Sequence, residues 1–120
     1  MSDVTTVAFF GDAEHSFALT PWAQLELEKL TGIGMGALCL RLPQGDFRIV
    51  EIVETIRLAL IGGGMAPQAA AHLVETYAKP RPIGETFPLA VRILYRLWNG
   101  KDPESEAEGQ DDDPLMVSDV

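Results

Sequence analysis

Cysteine is nearly absent from this chain of 120 residues. Cys39 alone excludes an intrachain disulfide and points to a reducing compartment. No stretch of about 18 apolar residues occurs, so no membrane-spanning helix is expected. The opening MSDVTTVAFF has neither a basic start nor a long apolar stretch, so no secretory signal is expected and the expected location is the cytoplasm. Histidine is scarce as well. His72 falls on the polar side of the helix expected around it, and Cys39 lacks the second thiol that a zinc site would use.

Positive charge is also in short supply. Nine Lys and Arg oppose 18 Asp and Glu, a net charge of −9. The imbalance is local: residues 101–120 hold eight acids against Lys101, a net of −7, and the first hundred residues hold ten acids and eight bases, a net of −2. An acidic end on a nearly neutral body repels phosphate backbones, so nucleic acid is not an expected partner.

What is present is mostly helical in pattern. VTTVAFF and EHSFALT, split by GDA, read as a β-hairpin over 4–19 with Gly11 and Asp12 at the turn. Thr20 and Pro21 then announce a helix as N-cap and first helical position, with Trp22, Leu25 and Leu30 on an inner face and Gly32 as its stop. LELEKL also permits a strand. MGALCLRL reads as a short helix ended by Pro43. From Asp46, Ile49, Ile52, Val53, Ile56 and Leu60 recur at helical spacing, with Glu51, Glu54 and Thr55 on the opposite side. Pro67 opens another helix carrying Ala70, Leu73, Val74 and Tyr77. A last one, capped by Thr86 or a neighbour, turns Ala90, Ile93, Leu94 and Leu97 inward and Arg92, Arg96 and Asn99 outward, up to Gly100. The expected fold is therefore mainly α with a small N-terminal hairpin (α+β), a compact bundle of four or five short helices. Residues 1–100 would form one globular domain. Ile52, Val53, Ile56, Leu73, Tyr77, Ile93, Leu94 and Leu97 are the expected core. Residues 101–120 have too little apolar surface to offset ordering and are expected to be disordered.

Two glycine-rich stretches suggest chemistry. LIGGGMAP, residues 60–67, could cradle phosphate, yet no Lys-Ser/Thr pair follows it and the preceding pattern is helical. The expected reading is a structural corner formed by Gly62, Gly63, Gly64 and Pro67, with positive φ at Gly62 or Gly63. GIGMGA, residues 32–37, fits a dinucleotide fingerprint letter for letter, with Glu51 or Glu54 at the distance of a ribose-binding acid. It lacks the strand that the motif needs before it. Asp12, Glu14 and His15 suit a solvated turn better than a metal or acid–base cluster. Cys39 suits a small buried hydrophobe. Arg81, Arg92 and Arg96 suit a solvated helix surface. No catalytic, cofactor or metal residue is assigned.

The blocks FFGDAEHSFAL, LELEKLTGIGMGAL, FRIVEIVETIRLALIGGGMAPQAAAHLVETY and PIGETFPLAVRILYRLWNG, taken in order, resemble the gene transfer agent tail protein family of phage-like tail modules. The resemblance covers about residues 8–100. Family members usually carry Ser or Thr before the helix-opening proline, where Ala66 stands here. The resemblance implies a non-enzymatic role in tail morphogenesis without cofactors: a chaperone that keeps the tape-measure protein soluble, or alternatively a structural tube subunit. A homo-oligomer is compatible with either. A small helical body with an acidic, solubilising end favours the chaperone, since it suits transient capture of an amphipathic helix, whereas tube subunits are more typically β-rich. A small-ligand or nucleotide enzyme built on GIGMGA ranks third. Leu115, Met116 and Val117 are either part of a solvated terminus or a partner-binding cluster that covers an apolar groove of the body.

Overall fold

The computed structural model describes residues 3–102. Strands β1 (Thr5–Phe10) and β2 (Ala13–Ala18) form an antiparallel hairpin in which Thr6 faces Phe17 and Phe10 faces Ala13. Helices α1 (Pro21–Thr31), α2 (Met35–Arg41), α3 (Ile49–Gly62), α4 (Pro67–Tyr77) and α5 (Ile83–Asn99) follow, with a 3-10 turn at Leu42–Gln44. This is the expected mainly helical architecture with an N-terminal hairpin.

Helix α3 is the hub, packing against α1, α4, α5 and β2. A helix contacted on so many sides cannot keep a polar face. Glu51 and Thr55, expected on the outside, are accordingly buried. The helix also begins at Ile49 rather than Asp46. Phe47 stacks on Phe87 at 5.4 Å, and Arg48 donates from Nη2 to the Thr31 carbonyl at 2.6 Å, so both residues are held out of the first turn. The core gathers Phe17, Leu19, Leu27, Leu38, Ile52, Ile56, Leu60, Leu73, Ile93 and Leu94. Tyr77 and Leu97 lie at its margin, half-buried. Phe10 meets both Phe17 and Tyr77 edge to ring, at 6.3 and 6.2 Å, which ties the hairpin to the end of α4.

Helix boundaries follow local chemistry. Thr20 accepts the Ala23 N–H at 3.3 Å and Pro21 occupies the first helical position. The inner face of α1, however, is Ala23, Leu27 and Thr31, whereas Trp22, Leu25 and Leu30 are exposed. Small Ala and Thr let α1 lie close to α3, an approach that Trp22 would block. Helix α5 starts after Pro82 and not at Thr86, whose hydroxyl is buried and bonds back to the Ile83 carbonyl. Pro88, a residue favoured in first turns, makes the later start look plausible in sequence.

Ala66 has the extended backbone of an N-cap but no side-chain hydrogen bond to the start of α4. Ala66→Ser supplies the missing acceptor and is expected to stabilise the protein by about 1 kcal/mol. A urea-unfolding midpoint no higher than that of the parent would contradict this account of the α4 start.

Candidate functional site

The triple-glycine corner is a helix terminus. Met65 N–H bonds to the Leu60 carbonyl and Gly64 N–H to the Ile61 carbonyl, both at 3.0 Å, the paired bonds of a Schellman motif. Its left-handed residue is Gly64, with φ 114°, and not Gly62 or Gly63 as the sequence suggests. Gly63 has φ −81° and could be any residue on that ground alone. Space is what excludes the others. A Cβ on Gly62 would lie 1.9 Å from the Ala18 carbonyl oxygen, and one on Gly63 would lie 2.1 Å from that of Ser16. The backbone of β2 thus rests directly on the last turn of α3. With the N–H groups of Gly63, Gly64 and Met65 all bonded to α3 carbonyls, this corner has no free set of donors to cradle phosphate.

The GIGMGA stretch runs from the C-terminus of α1 at Gly32 into the seven-residue α2, with no strand before it. The Met35 N–H at the start of α2 donates to the Glu28 carboxylate at 2.8 Å, which occupies the place of an anionic ligand. Glu51 accepts from Arg48 Nε at 3.0 Å and is only 1% exposed. Its Oε1 and the Thr55 hydroxyl have no hydrogen-bond partner. Glu54 pairs with Arg57. Neither acid is placed to meet a ribose. His15 Nε2 lies 2.9 Å from Asp12 at the hairpin turn, and this contact holds the Asp12 carboxyl below its ordinary range. Among the described residues, no group of three or more His, Cys, Asp or Glu could hold a metal ion. No described helix is long and apolar enough to cross a membrane.

Two features emerge that the sequence reading did not pick out. The first is a polar cluster joining the two ends of the described chain. Asp102 accepts from the Thr6 hydroxyl at 2.5 Å and lies 3.4 Å from Arg96 Nη1 and 3.8 Å from Arg92 Nε. Arg92 Nε also donates to Thr6 Oγ1 at 3.1 Å, and Arg96 Nε to the Asp3 carbonyl at 2.7 Å. Arg92 and Arg96 therefore do not face solvent as a free basic surface, and the first acid of the tail is held against the body. Arg81 instead pairs with Glu85 on the exposed start of α5. Asn99 is exposed as expected.

The second feature is apolar exposure. Phe9 and Leu25 are each 67% exposed, Trp98 58% and Leu40 57%. Trp98 and Leu40 border a groove between α2 and α5 that is also lined by Cys39, Pro43, Val91 and Tyr95, with a volume of about 130 Å³. No lining residue is charged: Leu94 and Asn99 complete the set. Cys39 is half-buried here, not fully enclosed, and burial pushes its thiol up to about 11 from 9.0. It should therefore resist alkylation at neutral pH in the folded protein and gain reactivity only as pH rises from 9.0 towards about 11. Rapid labelling of native protein by iodoacetamide at neutral pH would contradict this. The sequence-level signal for the groove was Trp98, an aromatic outside the inner stripe of α5.

This body has a hairpin seated on a helical hub, exposed apolar side chains and no assembled catalytic constellation among its described residues. Its class is that of the phage tail proteins, as comparison with known families shows. Residues 3–100 match the model of the family described as phage tail tube protein, GTA-gp10, and the chain belongs to that family. This agrees with the gene transfer agent resemblance carried by the sequence blocks. No curated protein and no solved structure shows significant similarity to the chain. The proposed partner residues Leu115, Met116 and Val117 lie outside the described residues.

Proposed function

We propose that this protein is a tail assembly chaperone, which binds an amphipathic helix of the tape-measure protein in the cytoplasm and acts by binding alone. The observation that carries this reading is the uncharged Leu40–Trp98 groove between α2 and α5. A helix presenting apolar residues at spacings of three and four positions can lay them in such a groove. An exposed tryptophan at its rim is the residue type that most often dominates binding energy. The acidic end, net −7 over residues 101–120, would keep the complex soluble.

A structural subunit of the tail tube is the second reading, favoured by the description of the family itself. In that role the exposed Phe9, Leu25 and Trp98 would be covered by neighbouring copies. The two roles separate by stoichiometry. Quantitative mass spectrometry of purified particles should find the chain absent, and a pull-down from lysate should recover it with the tape-measure protein. Abundant chain in particles, in a fixed ratio to other tail proteins, would make it a tube subunit. Within the chaperone reading, Trp98→Ala is expected to weaken binding of a tape-measure peptide by about tenfold or more; unchanged affinity by calorimetry would remove the groove from the binding surface.

A further inference from the structure

We propose that Leu115, Met116 and Val117 dock in cis into the Leu40–Trp98 groove, so that the chain carries its own occupant for this site. The docking is independent of the chaperone reading. Only its consequence, that a partner must displace the tail, rests on that reading.

The first support is where the tail begins. Asp102 is held on the α5 turns of Arg92 and Arg96, at 3.8 and 3.4 Å, and these residues directly follow Val91 and Tyr95 of the groove wall. The tail therefore starts on the helix face beside the groove. Only about a helix width, roughly 10 Å, separates the two faces.

Chain length is the second. Residues 103–114 separate the anchor from the apolar cluster. Twelve residues can reach up to about 40 Å fully extended, and as a random chain their ends average about 20 Å apart. Closure onto the adjacent face needs neither a taut linker nor a tight turn. A tether of this length gives an effective concentration on the order of millimolar, so a contact far too weak to hold a free peptide is still populated.

The absence of charge distinguishes the groove among the concave surfaces. The clefts beside Phe9 are lined by Glu85 with Arg81, or by Glu85 with Glu14 and Arg92. The concavity between α3 and α4 is lined by Glu54, Arg57, Glu75 and Lys79, and the one beside Gly63 by Glu14. An apolar segment in any of them would bury charged groups. The Leu40–Trp98 groove has no charged lining residue. The charges next to it in the chain are positive: Arg41, itself 3.5 Å from Asp46, follows Leu40, and Lys101 lies just beyond Asn99. The occupant suits the site on the same terms, since Leu115–Val117 is the one run of three consecutive apolar residues after Gly100.

Trp98 reports the docking directly. In full-length protein carrying Trp22→Phe, so that Trp98 is the sole tryptophan, acrylamide quenching is compared with and without L115D/M116D. These substitutions lie outside the described residues, and acrylamide is uncharged. Docking predicts a quenching constant about twofold higher once the cluster is made acidic, as expected when a weak tethered contact covers the ring about half of the time. The difference should persist across a wide dilution series. Equal quenching in the two proteins would overturn the proposal. Shielding that disappears on dilution would overturn it equally, by assigning the groove to the tail of a second copy.

Discussion

Valine at either Gly62 or Gly63 is expected to destabilise the protein by about 3 kcal/mol or more, the upper range for forcing extra atoms into a packed site. The first added carbon would already stand 1.9 Å or 2.1 Å from a carbonyl oxygen of β2. Backbone cannot swing aside as a long side chain can, so relief requires the hairpin to lift from α3. Gly64 makes the informative comparison. Its φ of 114° strains any other residue, but a side chain there would meet open space. Gly64→Ala should therefore cost only about 1–2 kcal/mol. Urea unfolding followed by circular dichroism ranks the three positions. If Gly64 proved the most sensitive and Gly62 tolerated valine, the hairpin would not be seated on the helix end as described.

Ile56→Ala is the second large effect. Ile56 is fully buried on α3, the helix against which α1, α4, α5 and β2 pack, and its truncation should cost about 2–5 kcal/mol. Against a total stability of about 5–15 kcal/mol, that is enough to leave much of the protein unfolded at physiological temperature. Leu25→Ala removes the same number of carbons from an exposed position of α1 and should shift stability by no more than about 0.5 kcal/mol. Similar losses at the two positions would mean that the α1 face assigned to solvent is in fact packed.

That α1 face shows where sequence pattern stops informing. The α3 stripe was legible because Ile52, Val53, Ile56 and Leu60 are large and recur at helical spacing. On α1 Trp22, Leu25 and Leu30 are exposed, and of the three buried residues only Leu27 is large; Ala23 and Thr31 carry too little hydrophobic signal to mark a core face. Size was read as burial, when closeness to α3 was the governing quantity. Glu51 escaped for the opposite reason. A carboxylate reads as solvated, but Arg48 bonds one of its oxygens and the Thr31 carbonyl together, which lets the acid sit under the end of α1. The corner was legible as a helix stop, since Gly-Gly-Gly before Met-Ala-Pro has few other uses. Which glycine serves the turn and which serve the hairpin depends on a contact between residues more than forty apart, and no local pattern encodes that. Of the groove only Trp98 is marked in the sequence, because α2 and α5 meet only in the folded chain.

The polar cluster of Thr6, Arg92, Arg96 and Asp102 has a consequence for synthesis. Strand β1 is made well before α5, and its pairing with β2 is local in sequence. The residues that clamp its outer end are separated from it by 86 to 96 positions. A nascent chain therefore carries its hairpin unclasped until α5 and Asp102 have been made. A chain that stops before α5 lacks Arg92, Arg96 and Asp102, and so leaves the outer end of β1 unclasped.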